Sequence, residues 1–428
     1  MRITRSVTGS VLGAAVLFGS HQAGALGQNQ TQTAPQTPTF KSSTQLVEVD
    51  AVVLDKSGNF VSGLKPEDIT LYEDGKPQQI QQFYMVTNDL GNAPGAPVSQ
   101  YADQADYKAH RVFVLLFDEG GLSNESMMRA KKGAEAFVHD QMGPEDAGGV
   151  YVNGAMFRSL LTTDKSELYA GIRAVKPPFD SRQSLLASFR EFPRIESEND
   201  AMRIADGAHE VTQQIAADNC NQSPRDCADD GGVSEVENKI QQKANMYVRQ
   251  ARTLTNQTLQ NLETVAHNLG HLQGRKTVVF ITEGFYVEES RSALEAIAGE
   301  AARNGVTFYS IDARGQINHM SPNPDVVRRD PARSTLFDTG EDGANILTTT
   351  TGGFMVRNLD DMSRAFGLIV RDTSTYYVIG YAPINSTMDG KFRKIELKTH
   401  VPNVQIRARK GYLAVNLPPQ QSIWGPGK

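Results

Sequence analysis

The chain has 428 residues, of which 39% are hydrophobic and 21% are charged, and a chain of this length buries about two or three cores of ordinary domain size. Its formal net charge of −6 gives no overall attraction to nucleic acid or to anionic lipid. Composition therefore argues against a single small fold and against nucleic-acid binding through bulk charge.

Residues 1–25 are predicted to be a secretory signal peptide. Arg2 and Arg5 supply positive charge, the apolar run SVTGSVLGAAVLFGS follows, and Ala23-Gly24-Ala25 fits the small-residue rule for cleavage. No later stretch contains about 18 uninterrupted apolar residues. We therefore expect a secreted or periplasmic protein with no transmembrane segment after signal cleavage, and an uncleaved N-terminal anchor is the alternative.

Three segments of different composition follow. Residues 26–43 are mostly Gln, Thr and Pro, which predicts a disordered spacer. Residues 44–86 alternate short apolar runs with turn signals such as Asp74-Gly75, and this pattern predicts a small antiparallel module of β-sandwich type. Residues 87–110 are rich in Gly, Pro and polar side chains and are expected to form a linker.

Residues 111–374 predict an α/β domain with a doubly wound, mostly parallel sheet. The apolar strand at Val112–Phe117 and the strand within KTVVFITEG are each followed by segments with apolar residues at helical spacing. Strands that alternate with helices in this way are typical of a parallel sheet covered on both faces.

The rest of the chain divides into an insertion, a second β segment and a tail. A helical insertion into the α/β domain is expected over about residues 179–255, because amphipathic helical stretches occur there between the strands. Residues 375–415 predict an antiparallel β meander with turns at Asp389-Gly390 and Pro402-Asn403. Residues 416–428 are expected to be a loose tail.

The only two cysteines, Cys220 and Cys227, lie in the segment DNCNQSPRDCADD. In an oxidising compartment they are predicted to close a small disulfide loop, since the residues between them can turn. A metal-binding pair is the alternative, but its spacing does not suit zinc and no further Cys or nearby His completes it.

These features together resemble the von Willebrand factor type A fold and, more closely, the VWFA-related Acidobacterial domain proteins, which are secreted and pair a β module with a degenerate A-type domain. The resemblance is carried by VVLDKSGNFVSGLKPEDITLYEDGKPQQI, VFVLLFD, VVFITEG and VPNVQIRARKGY, and it covers roughly residues 45–415. It implies a von Willebrand factor A-like domain that binds a partner, as in cell adhesion.

The resemblance also implies a metal-ion-dependent adhesion site beyond the carboxyl ends of the strands, built from an Asp-x-Ser-x-Ser motif, a later Thr and a later Asp. Asp118 matches the first aspartate, but Gly120 and Leu122 occupy the serine positions and Ser123 lies one place out of register. Glu283 stands at the second aspartate position, and no threonine clearly matches. Asp118, Ser123 and Glu283 are thus the candidate ligands of a degenerate site. Without the missing hydroxyls they make a poor Mg²⁺ site, although the longer Glu283 could reach the larger Ca²⁺. Alternatively, the two acids cap the helices that follow them.

Two further groups of charged or titratable residues each have a binding interpretation and a structural one. His267 and His271 lie four residues apart, but the metalloprotease pattern requires a Glu where Asn268 stands, so an exposed pair on an ordinary helix is favoured.

Arg407 and Arg409 alternate onto one face of a predicted strand, and Arg393 adds charge on a neighbouring one, which predicts a cationic side of the C-terminal sheet. Such a face would bind an acidic protein or an anionic envelope polymer. The alternative is a solvated, charged edge that blocks strand addition.

No nucleophile elbow, phosphate loop or dinucleotide fingerprint occurs in the sequence. We therefore expect a secreted or periplasmic, non-catalytic protein that contacts a protein or cell-envelope ligand through its A-like domain. The alternatives are a divalent-metal-dependent enzyme or processing factor that uses Asp118 and Glu283, and a purely structural envelope component.

Overall fold

The computed structural model describes most of the chain beyond residue 45. The predicted signal peptide, the spacer, nearly all of the linker and the end of the predicted tail lie outside the described residues. Within the described part, no helix has both the length and the apolar character that crossing a membrane requires. The described residues are 46–87, 111–159, 161–178, 181, 184, 187–285, 291–314 and 341–421.

Strands occupy both ends of the described chain, and strands alternate with helices in its middle. The strands are β1 (Val47–Asp55), β2 (Ile69–Glu73), β3 (Lys76–Gln78), β4 (Ile80–Thr87), β5 (Val112–Phe117), β6 (Ala147–Val152), β7 (Ala155–Met156), β8 (Lys276–Thr282), β9 (Val306–Asp312), β10 (Met355–Val356), β11 (Thr375–Tyr381), β12 (Phe392–Thr399), β13 (Val404–Ala408) and β14 (Gly411–Leu413). The helices are α1 (Asn124–Asp140), α2 (Lys165–Ala174), α3 (Glu198–Ala205), α4 (His209–Gln222), α5 (Pro224–Asp229), α6 (Val233–Leu269), α7 (Arg291–Arg303), α8 (Glu341–Thr351) and α9 (Met362–Ser374).

The middle of the chain forms a six-stranded sheet in the order β10-β9-β8-β5-β6-β7. Every neighbouring pair is parallel except β6 and β7, which are antiparallel. All residues of β5, β8 and β9 are buried, as expected for strands that helices cover on both faces. The predicted α/β class is confirmed, with a mixed sheet in which parallel pairs predominate.

Two hydrophobic clusters lie on opposite faces of this sheet. Phe113, Leu115 and Phe117 of β5 pack in one cluster with α1, α2 and α9, whereas Val114 and Leu116 pack in the other with α6, α7 and α8. Successive side chains of a strand point to opposite faces. Alternate residues of one apolar run therefore supply both cores.

The strands at the two ends of the described chain form two four-stranded sheets, β13-β1-β11-β4 and β14-β12-β2-β3. Every pairing within them is antiparallel. Side chains from both sheets meet in one hydrophobic cluster that includes Val49 of β1, Leu71 of β2, Tyr377 of β11 and Ile395 of β12. The two sheets therefore form one β-sandwich.

This sandwich differs from two of the predictions. Residues 44–86 do not stand as a separate module, because β1 lies between β11 and β13 and β2 pairs with β12. Residues 375–415 do not form a meander, because β11, β12, β13 and β14 alternate between the two sheets. The four strands of either segment, as a single sheet, would leave one apolar face uncovered, whereas two sheets packed face to face bury that face in a shared core.

The helices α3, α4 and α5 and the first part of α6 form an insertion with a hydrophobic cluster of its own. Helix α6 has 37 residues and is about 55 Å long at 1.5 Å per residue. Its first part belongs to the insertion, where Leu254 is buried, and its last part packs on the sheet, where Leu259 is buried. The predicted insertion at about 179–255 thus ends inside a continuous helix.

Cys220 and Cys227 link two helices of the insertion. Their Cα atoms lie 5.0 Å apart and their sulfurs are at bonding distance, which agrees with the predicted disulfide. Cys220 lies in the last turn of α4 and Cys227 lies in α5. The bond therefore closes the turn between these helices.

Candidate functional site

Acidic residues end three adjacent parallel strands at the same edge of the central sheet. Asp118 follows β5, Glu283 follows β8, and Asp312 is the last residue of β9. The strand register places Phe117 beside Ile281 and continues across β8 to β9. Because ligands of open α/β sheets bind beyond the carboxyl ends of the strands, this edge is the candidate site.

Asp118 is the buried centre of this edge, with only 5% of its surface exposed. Its Oδ1 accepts a hydrogen bond of 2.9 Å from Thr258 Oγ1, and its Oδ2 accepts one of 2.7 Å from Thr282 Oγ1. Thr258 belongs to α6 and Thr282 ends β8, so one carboxylate joins β5 to a neighbouring strand and to the long helix.

The turn after β5 requires glycine at residue 121. A Cβ atom on Gly121 would lie 2.2 Å from Asp118 Oδ2, which is far inside a van der Waals contact. The amide groups of Gly121 and Leu122 donate to the backbone carbonyl of Asp118 at 3.0 and 2.9 Å. The turn therefore wraps closely around the carboxylate.

Ser123 and Glu283 contact each other, as their place in the predicted site requires. Ser123 Oγ and Ser123 N both donate to Glu283 Oε1, at 2.6 and 3.0 Å. Ser123 Oγ also accepts from Ser126 N at 3.2 Å and caps the start of α1. Glu283 thus lies at the N-terminus of α1, where the helix dipole favours a negative charge.

Glu119 is a further acidic residue at this edge that the sequence reasoning did not identify. Its Oε2 accepts from Asn153 N at 2.9 Å, beyond the end of β6. Burial raises the pKa of the Glu119 carboxyl above its ordinary value, and the hydrogen bond from Asn153 partly opposes this shift. Glu119 therefore links the turn after β5 to the turn after β6.

Asp312 was also missed, and it pairs locally with Arg314. The Arg314 side chain donates to both Asp312 oxygens, at 2.9 and 2.8 Å. Asp312 is buried, and the two-pronged bond holds its carboxylate in a fixed plane. The position of Asp312 at the end of an apolar strand was the sequence signal that could have identified it.

Thr258 had no comparable signal. It lies 140 residues from Asp118 in the chain, within a helix whose pattern of apolar residues does not change around it. Thr282, in contrast, directly precedes Glu283 at the end of an apolar strand and could have been noticed.

The oxygen atoms at this edge do not provide a suitable set of ligands for Mg²⁺ or Ca²⁺. Such ions take about six or more oxygen ligands, and the described residues contain no group of three or more His, Cys, Asp or Glu side chains arranged to hold a metal. Both Asp118 oxygens accept hydroxyl hydrogens, and Ser123 Oγ caps a helix while bonding to Glu283. Hydrogen bonds join Asp118 to Thr258 and Thr282 and, separately, Ser123 to Glu283. We call these five residues, three of them predicted, the strand-end cluster: Asp118, Ser123, Thr258, Thr282 and Glu283.

The structure does not bring the three predicted partner-binding arginines together as an exposed cationic face. Arg393 is buried and donates to Asp389 Oδ1 at 2.8 Å and to the carbonyl of Thr387 at 3.1 Å. Its charge is therefore used inside the connection between β11 and β12.

Arg407 and Arg409 do share a face of the sandwich, but that face meets the helices of the α/β domain. Arg407 donates to Asp372 at the end of α9 and to the carbonyl of Gly352 beside α8. Arg409 donates to the carbonyl of Ala302 in α7. Both guanidinium groups therefore bind acceptors inside the molecule and are not presented together to solvent.

No model of a known protein family matches this chain, and a search of curated proteins finds none that is similar to it.

Proposed function

We propose that the chain is a secreted or periplasmic, non-catalytic binding protein of the von Willebrand factor A-like type, which contacts a protein or cell-envelope ligand. The observation that carries this proposal is the environment of Asp118, the acid that the resemblance places at the centre of the site. Asp118 is buried, and both of its oxygens accept hydrogen bonds from threonine hydroxyls. Asp118 therefore links β5 to β8 and α6.

The strand-end cluster offers one pairing that resembles a nucleophile beside a base, namely Ser123 Oγ and Glu283 Oε1 at 2.6 Å. Ser123 Oγ also accepts from the backbone amide of Ser126. A lone pair that caps a helix is directed at the helix and not at a substrate. The pairing therefore supports a structural role.

The hydrogen bond between Thr258 and Asp118 fixes the position of the helical insertion. Thr258 anchors α6 to Asp118 just beyond the point where α6 leaves the insertion for the sheet. The insertion has a separate core and a disulfide, and Met246 on α6 is 43% exposed. Binding residues are commonly found on segments that a rigid scaffold positions at its surface.

Enzyme assays test this proposal against its main alternative. The protein and its Asp118→Asn and Ser123→Ala variants are incubated with ester, peptide, phosphate-ester and glycoside substrates in the presence of Mg²⁺, Mn²⁺ or Ca²⁺. We expect no turnover that depends on either residue. Turnover that disappears in either variant would instead assign the strand-end cluster to a metal-dependent hydrolase.

Calorimetric titration of Mg²⁺, Mn²⁺ and Ca²⁺ tests the metal question directly. We expect no saturable heat that is lost in an Asp118→Ala variant, because the Asp118 oxygens are already hydrogen-bonded. Saturable binding by the wild type that the variant lacks would show that the cluster rearranges to bind a cation.

Photocrosslinking tests the role of the insertion. A photoreactive residue is placed at Met246 on the insertion and, as a matched control, at Met128 on α1, which is 67% exposed. With an envelope fraction of the source cells, we expect a discrete adduct at Met246 that excess unmodified protein abolishes. Absence of an adduct at both positions would favour a purely structural envelope component.

A further inference from the structure

Two histidines face each other where α6 ends. His267 lies in the last turn of α6 and His271 follows the helix by two residues. Their ring centres are 5.6 Å apart with the ring planes at 81°. Both side chains are exposed to solvent, so a small solute has access to both rings.

The hydrogen bonds of the two rings determine which nitrogen carries the proton. His267 Nδ1 lies 3.0 Å from Glu300 Oε1, and His271 Nδ1 lies 3.3 Å from the carbonyl oxygen of Pro419. A carboxylate and a carbonyl oxygen only accept, so each Nδ1 is the donor. A neutral imidazole has one N–H group, and the lone pair of each ring is therefore on Nε2. Within the described part of the chain, nothing bonds to either Nε2.

This arrangement is the one that metal-binding histidines adopt. Such histidines donate the second ring N–H to a carboxylate or to a backbone carbonyl, which fixes the ring and makes it a better ligand. Glu300 provides the first kind of acceptor and Pro419 the second. Pro419 is held in turn by Gln421, whose amide donates to the carbonyl of His271 at 2.7 Å, so the predicted loose tail is anchored here as far as Gln421.

The electrostatic surroundings favour a cation at the same place. The C-terminus of α6 presents the negative end of the helix dipole, and the carboxylate of Glu300 lies against His267. Both contributions attract positive charge toward the two rings.

We propose that His267 and His271 form a two-imidazole site for a divalent transition-metal ion of the class Zn²⁺, Ni²⁺ or Cu²⁺. Imidazole nitrogen suits these ions, whereas Mg²⁺ and Ca²⁺ prefer oxygen. Two imidazoles with metal–nitrogen bonds of about 2.0–2.1 Å place their ring centres roughly 5–6 Å apart on one ion, which includes the observed spacing. The described residues add no third ligand of the His, Cys, Asp or Glu type, so water or a group from a partner completes the coordination.

This site is independent of the proposed function and of the strand-end cluster. Calorimetric titration of ZnCl₂ into the protein, purified without a polyhistidine tag, tests it. We expect one saturable site in the wild type, loss of that site in His267→Ala and in His271→Ala, and affinity weakened about 10-fold or more in Glu300→Ala, which removes the acceptor behind one ligand.

His139→Ala is the matched control, because His139 is an exposed histidine on α1 beside a carboxylate. The His139→Ala variant should bind zinc with the same affinity as the wild type. Electron paramagnetic resonance of bound Cu²⁺ supplies a second readout, with splitting from two nitrogens expected in the wild type and from fewer in either His variant. Absence of saturable Zn²⁺ binding in the wild type would overturn the proposal. So would binding that persists unchanged in both His variants, whose fold is checked by thermal unfolding without metal.

Discussion

Thr258 shows how much of the site depends on a single hydroxyl group. Replacing Thr258 by Val keeps the shape of the side chain and removes the donor to Asp118 Oδ1. Because Asp118 is buried, its Oδ1 atom would lose the Thr258 hydroxyl without gaining access to water. We expect the free energy of unfolding, measured by urea denaturation, to fall by about 1–3 kcal/mol.

Thr253→Val is the matched control for this change. Thr253 lies on the same helix, on an exposed surface, and among the described residues it bonds only to the backbone carbonyl of Arg249. Its replacement should change stability by no more than about 0.5 kcal/mol. Equal losses of unfolding free energy in the two variants would mean that the bond to Asp118 contributes no more to stability than the exposed bond of Thr253.

Lys276 is a buried lysine whose charge is costly in the folded state. Only 1% of it is exposed, its Nζ donates to the carbonyl of Leu272 at 2.8 Å, and burial lowers its pKa from 10.5 to about 8. Between these two pH values the folded chain binds fewer protons at Lys276 than the unfolded chain does. The free energy of unfolding therefore rises with pH across this window, and below it the cost of burying the charge is fully present.

A Lys276→Met variant isolates this contribution, because it retains every other titrating group. We expect the stability of the wild type relative to the variant to increase between pH values near 8 and near 10.5, as measured by urea denaturation at each pH. A difference that is constant across this range would show that Lys276 has the same pKa in the folded and unfolded states.

The strands of the central sheet could be predicted from the sequence, whereas the course of α6 could not. β5 and β8 are continuous apolar runs because both of their faces are covered, and that pattern is local in the sequence. In α6 the apolar stripe continues while the structure that it covers changes from the insertion to the sheet. Amphipathic periodicity indicates that one face of a helix is buried, but it does not indicate which part of the molecule covers that face.

The disulfide between α4 and α5 should stabilise the insertion by restricting its unfolded state. Cys220 and Cys227 are seven residues apart, and loop closure of this length is worth roughly 2–3 kcal/mol. We expect a Cys220→Ala/Cys227→Ala variant to lose stability by about this amount, with faster proteolysis of the insertion during native-state digestion.

Reductant provides the control for the disulfide variant. Reduction should destabilise the wild type to a similar extent and should leave the double variant unchanged. Equal protease sensitivity of the oxidised and reduced wild type would contradict the expected role of the bond.

In the β-sandwich, the pairing of strands from the two terminal segments was the part that sequence patterns did not predict. Alternating apolar residues correctly indicate strands in both terminal segments, but they do not specify partners. Ala51 of β1 pairs with Tyr377 on one side and with Ala408 on the other, and more than half the chain separates these residues. Local turn signals favour pairing within a segment, whereas burial of a shared core favours pairing between segments.

Truncation tests whether the sandwich is one unit. A chain that ends after Ser374 lacks β11 to β14, and with them both neighbours of β1. We expect β1 and β2 to become cleavable in limited proteolysis followed by mass spectrometry. A chain that ends after Gln421 retains every described strand and should resist cleavage like the full chain, whereas protection of β1 and β2 in the shorter chain would mean that they fold independently.

The contact between the sandwich and the α/β domain contains a buried hydrogen-bond network centred on Asp372. Tyr309 Oη in β9 donates to Asp372 Oδ2 at 2.5 Å, Arg407 in β13 donates to the other oxygen, and Arg275 donates to Tyr309 Oη at 2.9 Å. One carboxylate thus serves groups from both parts of the molecule, at a place where little water competes.

Asp372→Asn should therefore destabilise the molecule as a whole, since it leaves the guanidinium of Arg407 without its charged partner. Loss of one member of a buried ion pair costs about 3–5 kcal/mol, and we expect a decrease of this size in the free energy of unfolding measured with urea. Glu396→Gln is the control, because Glu396 and Lys398 form an exposed pair on β12 whose loss should cost about 1 kcal/mol or less. If the two variants lost equal stability, Asp372 would contribute no more than a surface ion pair, and apolar packing alone would hold the sandwich against the α/β domain.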